Sequence, residues 1–166
     1  MAACKKKHPK QACTPSSGPT RAVEPNPRIT NSENPDSIMR QYPSWGFLYC
    51  DTGDDSNWSF IQSRLESEFW SHIFPKLQAY ERMTWADIII KSKKQNHSNH
   101  ISGMNKVARD RLIELEIEAE SLFSLHINGT CRLYGYLDGP VYRIIWYDND
   151  HGDNETCVFR SRLKYT

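Results

Sequence analysis

The sequence has no long hydrophobic run. Its longest apolar stretches, Trp45–Cys50 and Ile144–Tyr147, fall far short of the roughly 18 apolar residues that a membrane-spanning helix needs. The basic first ten residues are not followed by the apolar run of a secretory signal. We therefore expect a soluble protein that resides in the cytoplasm.

An excess of charge and a cysteine framework are also missing. The 166 residues include 21 basic and 20 acidic side chains, which excludes a polybasic protein that coats nucleic acid. The five cysteines are scattered and form no CxxC pair, which argues against a disulfide scaffold or a zinc ribbon. We expect reduced thiols.

The composition changes near residue 44. Seven of the nine prolines lie before this point, and all five tryptophans lie after it. The first 43 residues have too few large apolar side chains to offset the entropy of ordering them. We predict a disordered, proline-rich, basic tail over residues 1–43 and a single α+β domain over residues 44–166. The tail has seven basic and three acidic residues, which leaves 14 basic and 17 acidic residues in the domain, a net charge of −3.

The hydrophobic periodicity of the first part of the domain predicts mainly helices. Ser56 is a candidate N-cap for a helix through Leu77, and Pro75 should break or kink it near residues 72–74. Thr84 and Asp87 have the spacing of a capping box. The full prediction is a strand at 45–50, this helix, a short helix at 84–90, a polar loop at 91–103 and a helix at 104–116.

The second part of the domain predicts an antiparallel three-stranded meander over 122–127, 131–137 and 141–147. Asn128-Gly129 and Asp138-Gly139 are the dipeptides of tight turns in which both central residues take positive φ. Residues 157–165 form either a fourth strand or a docked tail. The order of elements predicts an α+β fold with helices against one sheet.

Metal ligands are few. His97 and His100 have a metal-like spacing, but they lie in a predicted loop with no cysteine or glutamate beside them. Acidic residues at 148–155 fail the spacing of a calcium loop. We expect neither a metal nor a cofactor.

The meander combines cations with aromatic rings. Such a surface suits single-stranded RNA, because bases stack on aromatic faces while arginines hold phosphates. Alternating aromatics are equally what a half-buried sheet face requires, so both interpretations stay open. The residues concerned are Arg132, Tyr134, Tyr136, Tyr142, Arg143, Trp146 and Tyr147.

The string LFSLHINGTCRLYGY at 122–136, followed by VYRIIWYDNDH at 141–151, resembles the C-terminal half of the RelE/ParE-like toxin superfamily. The resemblance covers about residues 104–151, and the predicted order of elements extends it to 45–165. It implies a RelE-like fold and a small metal-independent endoribonuclease that acts on mRNA, often in the ribosome. It also implies a cognate antitoxin protein as a partner.

The resemblance also suggests site residues. Arg132 would stabilise the phosphate, His151 would act as acid or base, and Tyr165 would be a catalytic tyrosine near the C-terminus. The predicted RNA-binding residues are Tyr134, Arg143, Arg160, Arg162 and Lys164. Two alternatives stay open: a non-catalytic domain of this fold that binds protein or RNA, which the net charge of −3 favours, and a plain ion pair between Arg132 and Asp148.

Overall fold

The computed structural model describes residues 38–53, 56–61, 65–151 and 156–159. They form an α+β fold around one five-stranded mixed sheet, which confirms the predicted class. The order of strands in the sheet is β1-β5-β4-β3-β2. The strands are β1 (Ser44–Gly46), β2 (His97–His100), β3 (Ser121–Asn128), β4 (Cys131–Asp138) and β5 (Val141–Asp148).

The antiparallel meander β3-β4-β5 is confirmed, each strand being longer than predicted by one residue or two. The turn chemistry differs from the prediction. Gly129 and Gly139 have φ values of 41° and 56°, whereas Asn128 and Asp138 have no positive φ. The reason is that Asn128 and Asp138 end their strands, so that glycine takes the first central position, as a type II′ turn requires.

A bulge in β5 determines which side chains share a face. Tyr134 pairs with Trp146 but Gly135 pairs with Ile144, so the extra residue places Ile145 and Trp146 on the same side of the sheet. A side chain at Gly135 would not fit, since a Cβ there would lie 2.1 Å from the carbonyl oxygen of Arg143. The bulge therefore depends on glycine at this position.

The edge strands differ most from the predictions. The strand predicted over 45–50 is only Ser44–Gly46, parallel to β5, because the chain turns away afterwards and leaves Phe47 and Leu48 exposed. The predicted loop over 91–103 was wrong, since it contains β2, which pairs antiparallel with β3. The polar sequence His-Ser-Asn-His gives no hydrophobic signal for a strand.

One face of the sheet is covered by a continuous helix, α1. It comprises the segments Leu65–Glu68, Phe69–Ile73 and Phe74–Tyr80, of which the middle one is π-helical. The π-helical turn lies where Pro75 was predicted to disturb the helix, and it widens the helix without ending it.

A second helical element follows on the same face. The backbone N–H of Thr84 donates to Asp87 Oδ2 and the N–H of Asp87 donates to Thr84 Oγ1, which confirms the capping box. This cap precedes the π-helical turn α2, Asp87–Lys91. Trp85 and Ile88 are fully buried in the first core cluster, together with residues of α1, β3, β4 and β5.

The predicted helix through Leu77 is present as α1, but its predicted start at Ser56 was wrong. Residues 56–61 form turns in which the N–H of Phe60 donates to the carbonyl of Asp51. Trp58 is buried on the opposite side of the sheet from Leu65, and its Nε1 donates to the carbonyl of Thr156. The apparent helical period across these positions therefore joins residues of two separate cores.

The second face of the sheet carries helix α3, Lys106–Glu114, which lies within the predicted helix 104–116. Ala108 and Leu112 belong to the second core cluster, which also contains Tyr134, Ile145 and Trp146. Residues 157–159 are buried on this face, so this part of the predicted C-terminal segment is docked and is not a strand. Helical and docked segments thus cover both faces of the sheet.

The described chain begins before the predicted boundary of the domain. Ile38 and Met39 pack against the first core cluster, and the N–H of Trp85 donates to the carbonyl of Gln41. Residues 1–37 of the predicted tail lie outside the described residues. Among the described helices, none combines the length and apolar character needed to cross a membrane.

Candidate functional site

Polar residues on three neighbouring strands meet at one end of the second face. His126 on β3 lies directly opposite Arg132 on β4, and Arg132 lies opposite Asp148 on β5. Directly opposed residues have Cβ atoms only ~4.5–5.5 Å apart. Tyr134, two residues after Arg132 on β4, lies on the same face of the sheet and is fully buried.

The guanidinium of Arg132 is held from one side only. Its Nη1 donates to the carbonyls of Gly129, at 3.0 Å, and Cys131, at 2.9 Å. Its Nη2 donates to no described residue. Burial lowers the pKa of Arg132, yet an arginine remains a cation at neutral pH. The free nitrogen therefore offers two donors and a positive charge to an anion.

Asp148 does not form the ion pair with Arg132 that the sequence left open. Its Oδ1 accepts the N–H of Asp150 at 3.0 Å, and its Oδ2 accepts the N–H of Val158 at 2.9 Å. Burial raises the pKa of Asp148. This carboxylate ties the end of β5 to the docked segment 157–159, and the charge of Arg132 stays available.

His151 is anchored at the same end of the sheet. Its Nδ1 lies 2.7 Å from the hydroxyl of Tyr134, and its backbone N–H donates to the carbonyl of Thr130. Tyr134 is fully buried and its ring lies against Phe159, so the ring presents no face to an RNA base. Burial raises the pKa of Tyr134, which keeps the hydroxyl protonated. The tyrosine serves to orient His151.

Sequence reasoning missed His126. A turn centred on Asn128-Gly129 would pair residue 126 with residue 131. In the structure the turn lies one residue later and a bulge follows between His126 and Asn128, and together they place His126 opposite Arg132. Ser124, the next residue of β3 on this face, lies opposite Tyr134 and is fully buried. Only the register of the strands identifies these two residues.

The remaining predicted residues lie elsewhere. Arg143 is opposite Tyr136, about 13 Å along the sheet from Arg132, and its guanidinium pairs with Asp138. The structure therefore does not bring Arg143 into the site. Outside the described residues lie Arg160, Arg162, Lys164 and Tyr165.

The side chains with metal-like spacing form no cluster. His97 and His100 lie on β2, where His100 Nδ1 is 2.8 Å from the hydroxyl of Ser102. Within the described ranges, no three histidine, cysteine or carboxylate side chains converge as metal ligands would.

The site can thus hold an anion beside two imidazoles. The Arg132 guanidinium supplies fixed positive charge, and His151 supplies a side chain of the type that gives or takes a proton at neutral pH. Burial and the charge of Arg132 lower the pKa of the second imidazole, His126. Comparisons with protein-family models, with curated proteins and with solved structures found no match to this chain.

Proposed function

We propose that this chain is a metal-independent endoribonuclease, a RelE-like toxin that cleaves mRNA at the Arg132 end of the sheet. A cognate antitoxin and the ribosome are partners within the same proposal. The observation that carries it is the state of Arg132, whose guanidinium is fixed on Nη1 while Nη2 has no partner among the described residues.

The chemistry is an attack of the ribose 2′-oxygen on the adjacent phosphorus. The O2′–P bond forms and the P–O5′ bond breaks, which leaves a 2′,3′-cyclic phosphate and a 5′-hydroxyl end. A base takes the proton of the 2′-hydroxyl and an acid returns one to the 5′-oxygen. Arg132 stabilises the charge that develops on the phosphoryl oxygens, and His151 transfers a proton.

A second candidate is a domain that binds RNA or protein without cleaving it. The net charge of −3 over residues 44–166 favours it, above all as a domain that binds protein, because long contacts with RNA need many cations. The two candidates differ in one measurement, since only the nuclease produces cyclic phosphate ends.

The test is to incubate the purified full-length chain with end-labelled single-stranded RNA, with chelator present, and to identify the products. We expect cleavage with cyclic phosphate ends, and a loss of roughly 100-fold or more in Arg132→Ala and His151→Ala. A matched control is Arg143→Ala, which removes an arginine of the same sheet at its other end and should cleave like the parent chain.

Expression of the parent chain in cells should arrest translation, because mRNA is cleaved. Expression of the His151→Ala variant should not. Two outcomes contradict the proposal: RNA that stays intact with the parent chain, free or with ribosomes, or equal loss of cleavage in the Arg132 and Arg143 variants.

A further inference from the structure

Two buried side-chain nitrogens on adjacent strands have no hydrogen-bond partner among the residues that the structure describes. They are His126 Nδ1 and Arg132 Nε, which belong to directly opposed residues of β3 and β4. A buried polar atom left without a hydrogen bond destabilises the folded state, so such atoms are rare. Both of these lie in the candidate site.

The two nitrogens are chemically complementary. Arg132 Nε–H can only donate, whereas Nδ1 of a neutral imidazole accepts when the proton is on Nε2. The backbone at His126 is fixed on the open edge of β3, because its N–H donates to Asn96 Oδ1 and its carbonyl accepts from the hydroxyl of Tyr80. The imidazole therefore starts from a defined position beside the guanidinium.

The surroundings keep His126 neutral. Burial, followed by the charges of Arg132 and Lys76, lowers the pKa of His126, while the nearby carbonyl of Gly129 opposes this shift. Tyr80 of α1 contacts His126 through the backbone, since its hydroxyl donates to the carbonyl of His126. A protonated ring would have no acceptor for Arg132 Nε–H and would place a second cation against it.

We propose that His126 is a positioning residue for Arg132: its Nδ1 accepts the Nε–H of Arg132 and holds the guanidinium with Nη2 directed at a phosphate of the RNA. The identity of the anion rests on the proposed function. The pairing itself is a property of the free protein. In this arrangement Nη1 donates to two backbone carbonyls and Nε donates to His126. The N–H groups of Nη2 are then left to bind the phosphate.

The pairing is tested without RNA by nitrogen NMR of the histidine rings in the full-length chain at neutral pH. We expect His126 as the tautomer with a bare Nδ1 and a proton on Nε2. Finding the proton on Nδ1, or a ring charged at pH 7, overturns the proposal. This result does not depend on whether the chain cleaves RNA.

The positioning role is tested by three substitutions with a labelled single-stranded RNA oligonucleotide as the probe. Asn places an oxygen near the position of Nδ1, so His126→Asn should retain affinity within about two-fold, whereas His126→Leu and His126→Gln should lose about ten-fold. Thermal unfolding verifies that each variant folds. Equal affinities of folded His126→Leu and the parent chain overturn the positioning role, and so does an equal loss in His126→Asn and His126→Leu.

Discussion

At the scale of single residues, the fold contains a buried carboxylate, Asp51, which pairs with the partly buried Arg111 of α3. Asp51 is fully buried and accepts from Arg111 Nε at 2.9 Å and Nη2 at 2.7 Å. It also accepts from Trp146 Nε1 and from the N–H of Gly53. These four donors compensate the buried carboxylate of Asp51. Removing its charge would leave them without their acceptor, although Arg111 would keep its ion pair with Glu114.

Acid should therefore weaken the fold through Asp51. Burial alone would raise the pKa of this carboxyl, but the hydrogen bonds from Arg111 and its other partners lower it to about 2 from 3.8. A group with a lowered folded pKa stabilises the protein above its unfolded pKa, and this stability is lost as the pH falls from about 4 to about 2. Urea unfolding at a series of pH values measures this loss.

Asp51→Asn should lower the free energy of unfolding at pH 7 by about 3–5 kcal/mol and flatten the curve below pH 4. Asp138→Asn is the control, because Asp138 belongs to an exposed pair with Arg143 whose removal should change stability by under about 1 kcal/mol. Similar effects of the two substitutions would show that the buried pair adds nothing beyond a surface contact.

At the scale of elements, helix α3 ends in a motif that normally contains glycine. The N–H of Ile117 donates to the carbonyl of Leu112 and the N–H of Glu116 donates to that of Ile113, the two bonds of a Schellman motif. Glu116 occupies the left-handed position with a φ of 55°. A residue with a Cβ is strained there, so the helix end is not optimal.

Glu116→Gly should consequently stabilise the domain by about 0.5–1 kcal/mol, since glycine adopts this φ without strain. Glu118→Gly provides the control, because Glu118 is an exposed neighbour without a positive φ and gains nothing from the exchange. The measurement is the midpoint of urea unfolding. A lower midpoint for Glu116→Gly than for Glu118→Gly would contradict the account of this helix end.

The elements differ in how far the sequence could predict them. The meander was predictable because its apolar runs are separated by glycine turns, and the capping box at Thr84 because its polar spacing is local. Strand β2 was not, since a short polar edge strand takes its conformation from pairing with β3. The position of Arg132 beside His126 depends on a bulge, which leaves no mark on the hydrophobic pattern.

At the scale of the whole molecule, one sheet separates two cores, and the candidate site lies at the end of one face. The first core lies under α1 and α2, and the second lies under α3 and the docked residues 157–159. Substitutions in the first core, Tyr80 excepted, can thus weaken the fold without contacting the site. The docked segment behaves differently, because Val158 binds Asp148 and Phe159 covers Tyr134.

The contacts before β1 define where the folded unit begins. Deleting residues 1–37 should leave the melting temperature unchanged, because the sequence predicts that they contribute no core. Deleting residues 1–43 should lower it by several degrees, because Ile38 and Met39 pack on the first core and Gln41 accepts the N–H of Trp85. Thermal unfolding of the two truncated chains beside the full chain measures both effects. Equal melting temperatures for the two truncations would show that residues 38–43 do not stabilise the domain, and a loss on deleting 1–37 alone would place part of the predicted tail within it.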